Sequence, residues 1–191
     1  HKVQADLALF YIDCRDQQLT VFPEGQITGR LMTNAGRTRS FGGEASLLAT
    51  LWRNLDLQVA YGYTRATFVK FDTGKADYAG NFIPYAPQHT LYAGASYTLR
   101  TGWNCLEYVI FRVAANGAGR IYWNEANTFS QPFYALLEAS IRFEHRHWAV
   151  DVWGRNLTDT RYDTFYFMSI GNSFLQRGRP RTFGVSLSIT L

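Results

Sequence analysis

The stretch Arg181-Thr-Phe-Gly-Val-Ser-Leu-Ser-Ile-Thr-Leu191 decides the fold of this chain. Phe183, Val185, Leu187, Ile189 and Leu191 share one face of an extended strand, and Gly184, Ser186, Ser188 and Thr190 share the other. A period of two, with one greasy and one small polar face, marks a β-strand between two unlike surroundings. Its length matches the roughly 9–11 residues that a tilted strand needs to cross a bilayer. The stretch therefore predicts a transmembrane β-strand whose apolar face meets lipid and whose polar face meets a lumen.

Composition is compatible with that reading. Of 191 residues, 47% are hydrophobic and 16% aromatic, and the mean hydropathy is −0.20. No run approaches the ~18 apolar residues of a spanning helix. Transmembrane barrels average out this way because half of each strand is polar. The 14 Phe and 12 Tyr are the rings that girdle such barrels at the two interfaces. Composition alone favours a soluble β-sandwich over a barrel, so the order of strands and loops must decide.

The net charge is +4, and Arg supplies most of the 19 basic residues. Those arginines are scattered through strands and turns rather than gathered into one stripe, which argues against a nucleic-acid partner. At barrel ends they suit lipid phosphates, lumen carboxylates or an anionic ligand. Cys14 and Cys105 have no metal spacing and fall in separate hairpins, so free thiols are expected.

Alternation predicts about nine strands. They cover Val3 to Asp13, Leu19 to Gly29, Thr38 to Trp52, Leu55 to Val69, Gln88 to Arg100, Cys105 to Asn116, Pro132 to Glu144, His147 to Asn156, and the final stretch. Alternation is blurred in one of them by Tyr108-Val109-Ile110-Phe111. Connections at 14–18, 53–54, 101–104 and 145–146 are short, whereas 70–87, 117–131 and 157–180 are long and 30–37 is intermediate. Barrels of the outer membrane sort short periplasmic turns from long extracellular loops. A soluble sandwich has no reason to sort its loops by parity. The pattern predicts an all-β, antiparallel transmembrane β-barrel.

An odd strand count cannot close a standard bacterial barrel, and an open edge in lipid leaves backbone groups unsatisfied. The chain starts at His1, with no signal peptide in view. The expectation is that earlier strands and an N-terminal part are missing.

Four stretches resemble one family. Val152-Trp-Gly-Arg-Asn-Leu-Thr-Asp-Thr-Arg-Tyr162 is similar to the NLxDxxY segment near the end of TonB-dependent outer-membrane receptors. Phe165-Tyr-Phe followed by Gln176-Arg-Gly-Arg-Pro-Arg-Thr-Phe-Gly-Val-Ser-Leu187 resembles that family's final hairpin. Ile83-Pro-Tyr-Ala-Pro-Gln-His-Thr90 resembles its PxxPxHT start of a barrel strand, and Asn34-Ala-Gly-Arg-Thr-Arg-Ser-Phe-Gly-Gly-Glu44 its NxGxxxxxGxE strand. Leu191 departs from the aromatic residue that usually ends the family.

The resemblance implies that residues 1–191 are the C-terminal segment of a barrel of about 22 strands, with the earlier strands and an N-terminal plug absent. It implies an active-transport receptor in the outer membrane of a Gram-negative bacterium, in contact with outer-membrane lipid and lipopolysaccharide. Energy would come from the TonB complex, engaged through the missing N-terminal part. The ligand would be a ferric siderophore, with haem, cobalamin or a glycan as alternatives. No cofactor, catalytic residue or resident metal is implied.

Candidate ligand contacts lie in the long segments. They are Tyr78, Phe82 and Tyr85 in the first, Arg120, Tyr122 and Trp123 in the second, and Tyr162, Phe165, Tyr166, Phe167, Arg177 and Arg179 in the third. Rings with Arg suit an anionic, partly aromatic ligand. The competing reading makes the rings a girdle and the arginines lipid-phosphate contacts. Glu44, Glu138, Arg142, Asp151 and Arg155 are expected to face the lumen and pair across strands or with the plug, with the lining of a substrate path as the competing reading. His145 and His147 form an HxH without a third ligand, and read as interfacial. Asn156 and Thr158-Asp159 are expected to organise a turn. Two further alternatives remain at this point: a smaller stand-alone outer-membrane channel or adhesin, and a soluble β-sandwich binding module.

Overall fold

A computed structural model describes residues 2–16, 18–21, 31–34, 36–52, 54–73, 76–169 and 172–190, and holds no helix among them. The first strands are β1 (Lys2–Arg15), β2 (Gln18–Val21), β3 (Leu31–Asn34), β4 (Arg37–Leu51), β5 (Leu55–Lys70), β6 (His89–Trp103) and β7 (Leu106–Gly119). Then follow β8 (Ile121–Tyr122), β9 (Ser130–Gln131), β10 (Tyr134–His145), β11 (Trp148–Arg155), β12 (Asp163–Ser169), β13 (Asn172–Arg177) and β14 (Thr182–Ile189). Eight of these make one antiparallel sheet in the order β1-β4-β5-β6-β7-β10-β11-β14, with β1 and β14 at its edges. The pairs β2–β3, β8–β9 and β12–β13 are separate hairpins.

One sequence expectation fails. Cys14 and Arg15 continue β1 rather than turning, and Leu19 does not begin a strand that returns along β1. Instead β1 pairs with β4 residue by residue, from Lys2 opposite Thr50 to Arg15 opposite Arg37. That register leaves no room for a strand between them. The alternating residues from Leu19 pair locally with Thr33 and its neighbours instead. Residues 22–29 of the expected strand lie outside the described residues, as does Leu191. The main sheet thus has eight strands rather than nine. The correction sharpens the loop pattern. Short turns follow β4, β6 and β10, while the connections after β1, β5, β7 and β11 are all long and gather at the opposite end.

Register fixes the two faces. Leu47, Val59, Ala93, Ala115 and Leu137 line up across five strands, and the next row is Leu48, Gln58, Gly94, Ala114 and Glu138. The apolar row belongs to a face that leaves large side chains uncovered even on strands paired on both sides, including Leu47, Val59, Phe111, Val113 and Val152 at 42–45% exposure. Uncovered apolar surface on this scale calls for a non-aqueous neighbour. The blur in β7 has a simple cause: Ile110 falls in register with Arg142 and Thr98, so an apolar side chain sits on the polar face.

The polar face encloses a groove of about 510 Å³ lined by Asp56, Arg112, Glu138, Asp151, Trp153 and Arg155 among others. None of the expected cross-strand pairs forms among the described residues. Arg142 stands opposite Asp151, yet its Nε donates to Glu144, two residues along its own strand, at 2.8 Å. Arg155 lies over the Trp153 ring at 4.8 Å. Both cysteines are free thiols.

Candidate ligand-binding site

The long connections are built structures. Phe68 and Phe71, each 1% exposed, form a small core with Tyr78 and Ile83 just above the sheet. Gly80 N–H donates to the Phe68 carbonyl at 2.8 Å and Phe68 N–H to the Asn81 carbonyl at 2.9 Å, so the connection after β5 folds back along that strand. The Asn127 side chain then ties it to the connection after β7. Its Oδ1 accepts from Phe82 N–H at 2.7 Å, and its Nδ2 donates to the Phe82 carbonyl at 2.9 Å.

Tyr85 is the meeting point of three connections. Its ring lies 5.5 Å from Trp123 and, in stacked geometry, 5.5 Å from Phe165. Its hydroxyl donates to the Tyr166 carbonyl at 3.0 Å, and its N–H to the Tyr122 carbonyl at 2.8 Å. Burial, and then the Glu125 carboxylate, push its phenol pKa up, so the hydroxyl stays a donor at neutral pH. Its φ of 63° lies in the left-handed region, which aromatic residues rarely adopt and surrounding contacts must enforce. Phe129, which sequence reasoning passed over, stacks on Tyr166 at 4.7 Å. Trp123 and Tyr166 are buried at 7% and 8%, while Tyr85, Phe129 and Phe165 keep about two-fifths of their surface open.

The other predicted contacts divide. Tyr78 packs on Phe71 at 5.5 Å and is part of the small core rather than an open surface. Phe82 stacks on Tyr122 at 5.3 Å, with the Arg65 guanidinium 5.8 Å from the Phe82 ring. Phe82 bridges to Thr67, which is opposite Arg39 and two residues from Arg65, so this pair belongs to the apolar, outward side. Tyr162 stacks on Tyr134 at 4.4 Å, and Tyr134 continues the polar-face row above Glu138. Phe167 stacks on Phe174 at 4.9 Å within the β12–β13 hairpin. Arg120, Arg177 and Arg179 are exposed.

The base of the last connection is organised as expected by Asn156 and Asp159. Asn156 is 4% exposed. Its Nδ2 donates to the carbonyls of Thr160 and Arg179 at 3.0 and 3.1 Å, and its Oδ1 accepts from Thr160 N–H at 2.8 Å. Asp159 Oδ1 accepts from Arg181 N–H at 3.0 Å. These two side chains close the ring of residues 156–181 and set the hairpin over the sheet. His145 and His147 approach ring to ring at 5.9 Å at the opposite, short-turn end. Among the described residues no group of three metal-ligating side chains occurs.

Comparison with known proteins agrees with this architecture. The family model for the TonB dependent receptor-like β-barrel matches residues 1–157. The chain is 26% identical to the pesticin receptor of Yersinia pestis and 27% identical to that of Yersinia enterocolitica, each over 193 aligned positions and 98% of this chain. It spans 27% of the length of those relatives. Among solved structures it resembles the ferric yersiniabactin uptake receptor FyuA of Yersinia pestis, with TM-score 0.81, 23% identity, and coverage of 98% of this chain and 27% of that one. It also resembles the ferric citrate transporter FecA, with TM-score 0.73, 21% identity, and coverage of 97% and 29%. The sheet order, its two unlike faces and the match over residues 1–157 together establish that this chain belongs to the TonB-dependent outer-membrane receptors of Gram-negative bacteria, as part of their β-barrel.

Proposed function

We propose that this chain is the C-terminal barrel portion of a receptor that captures a ferric siderophore outside the cell and imports it with energy supplied through TonB. The observation that carries the ligand reading is Tyr85, held in a strained backbone conformation while its ring joins Trp123 and Phe165 and its hydroxyl reaches Tyr166. Three connections thereby present one partly open aromatic surface, with Arg120, Arg177 and Arg179 exposed on the same connections. Such a surface stacks on planar chelating groups and attracts negative charge. Relatives named for ferric yersiniabactin and ferric citrate support the ligand class. Haem, cobalamin and glycan remain the competing ligands.

The proposal separates the rings. Tyr85, Trp123, Phe129, Phe165 and Tyr166 serve the ligand, Phe82 and Tyr122 serve the interfacial girdle, and Tyr78 supports the connection from beneath. The test uses cells carrying the full-length receptor and a panel of iron-55 siderophore complexes, with haem and cobalamin as further arms. Uptake of one ferric siderophore that disappears when TonB is deleted is the expected result. Uptake of haem or cobalamin alone replaces the ligand class, and uptake independent of TonB sinks the energetic reading.

A further inference from the structure

The β8–β9 hairpin, in the connection after β7, is bonded to the long connections on both sides of it. Toward the connection after β5, the Tyr122 carbonyl accepts from Tyr85 N–H at 2.8 Å and the Arg120 carbonyl from Gln88 N–H at 3.0 Å. The Asn81 side chain donates to the Glu125 carbonyl at 2.8 Å. Asn127 engages both backbone groups of Phe82 and also donates to the Asn124 carbonyl at 3.0 Å. It therefore fixes its own turn and the neighbouring connection with one side chain. Its φ of 55° lies in the left-handed region, which Asn tolerates better than most residues.

Toward the connection after β11 the link is Gln131, which pairs with Ile121 in the hairpin and is buried. Its Nε2 donates to the Pro132 carbonyl at 3.0 Å, and its Oε1 accepts from Asp163 N–H at 2.9 Å, where β12 begins. Two stacked ring pairs accompany that bond, Phe129 with Tyr166 at 4.7 Å and Tyr134 with Tyr162 at 4.4 Å. Tyr85 then joins the connections after β5 and β11 directly, through the Phe165 ring and the Tyr166 carbonyl. Each of the three connections is thus bonded to both others. In a closed ring of contacts, opening one member breaks bonds to two. Segments tied in this way open as one unit rather than singly.

We infer that Asn127 and Gln131 are positioning residues that make the three connections one cooperative unit, whose aromatic surface is assembled before any ligand arrives. Asn127 holds the Tyr85 connection against Trp123. Gln131 holds the start of β12, and with it Phe165 and Tyr166, against Tyr85 and Phe129. Neither side chain has to touch a ligand to do this. The use of the unit rests on the proposed function, whereas its cooperativity is a property of the fold and is measured without ligand.

The test is amide hydrogen exchange of the ligand-free, full-length receptor in bilayers, read by mass spectrometry over residues 76–88, 120–131 and 160–168. In the wild type all three segments should be protected and should exchange at similar rates. Asn127→Ala should speed exchange about tenfold in all three, including 160–168, which Asn127 does not touch. Gln131→Ala should do the same, including 76–88, which Gln131 does not touch. Strands β6 and β7 should keep their protection and so report an intact sheet. Asn127→Asp keeps the acceptor for Phe82 N–H and should restore part of the protection at 160–168. If an alanine variant does not assemble, Asn127→Asp and Gln131→Met carry the same comparison of near and distant segments. Faster exchange confined to the segments that the substituted side chain touches overturns the cooperative unit, as does a wild type whose three segments exchange at unrelated rates. Ferric yersiniabactin and ferric citrate then serve as probes of the proposed function. A bound probe should slow exchange in all three segments together, and slowing of one alone overturns the unit. Binding of neither probe, with the three segments still exchanging together, counts against the siderophore reading and upholds the unit.

Discussion

The Tyr85 hydroxyl donates to the Tyr166 carbonyl at 3.0 Å, tying the connection after β5 to the β12–β13 hairpin. These residues are far apart in sequence, and Asn127 and Asn156 hold the two connections with side-chain hydrogen bonds to Phe82 and Arg179. The hydrogen bond and the stacking of Tyr85 can be separated by mutation. Tyr85→Phe keeps the ring and loses a bond of about 1 kcal/mol. Tyr85→Ala also removes the ring between Trp123 and Phe165. Ligand affinity on cells should fall a few-fold in the first variant and by about tenfold or more in the second, given ~0.5–1.5 kcal/mol for each aromatic pair. Equal affinity in all three receptors would move Tyr85 out of the ligand surface.

The same bond gives a pH signature. Burial raises the Tyr85 phenol pKa, which favours the neutral form in the folded receptor. Its contribution is therefore complete below the ordinary phenol pKa and is lost as pH rises through the raised one. Ligand affinity should stay level through neutral pH and decline only in alkali. Tyr85→Phe should abolish that decline, and an identical alkaline limb in the variant would assign it to another group.

Asn156 governs the last connection by satisfying three backbone groups at once. Asn156→Ala strands them in a site that is 4% exposed, at a local cost of about 2–3 kcal/mol. The β12–β13 hairpin should then open more often, and limited proteolysis of the full-length receptor should cut within 163–177 at a rate raised tenfold or more. Asn156→Asp keeps the acceptor for Thr160 N–H but loses both donors, so it should fall between. Unchanged protection in Asn156→Ala would mean that the hairpin is held by Tyr85 and Gln131 instead, the latter through its Oε1 on Asp163 N–H.

The alternation of Leu91 to Leu99 and of Phe183 to Ile189 was enough to assign two faces, because a period-two strand between lipid and lumen has no other pattern. The error at Leu19 has the opposite origin. Its alternation is genuine, but register is a property of two strands, and the fourteen-step match of β1 with β4 overrides a four-residue one. The turn role of Asn156 was legible because Asn binds backbone locally. The meeting of Tyr85, Trp123 and Phe165 was not, since it depends on three connections converging. Phe129 carried no local signal beyond its place in a long segment.

Gly178 records how tightly the third connection packs. A Cβ placed there would run into the Tyr162 ring, whose residue also accepts from Gly178 N–H at 2.8 Å. Gly178→Ala should push Tyr162 off Tyr134 at a cost of about 1–3 kcal/mol, the usual range for overpacking. Adding Tyr162→Ala should return part of that loss, a non-additive result measured by urea unfolding of the full-length receptor in bilayers. Additive losses would show that Tyr162 yields freely and that its stack is incidental.

The face assignment makes the last prediction. Val185 lies opposite Val152 and in line with Ile141 and Phe111, all on the outward face, and Leu187 lies opposite Val150, one pair nearer the short-turn rim. Ser188 lies opposite Ala149, in the row of Glu144 and Tyr108 on the polar face. Arginine facing lipid costs about 2–4 kcal/mol at the midplane and about 0–1 near the rim. Val185→Arg should therefore destabilise the full-length receptor most and Leu187→Arg less. Ser188→Arg should be mildest, since its guanidinium enters a polar lumen near the Glu144 carboxylate. The order matters more than the sizes, because edge position and strand tilt affect all three alike. A larger loss for Ser188→Arg than for Val185→Arg in bilayer unfolding would invert the faces, and with them the membrane orientation of every arginine and ring discussed above.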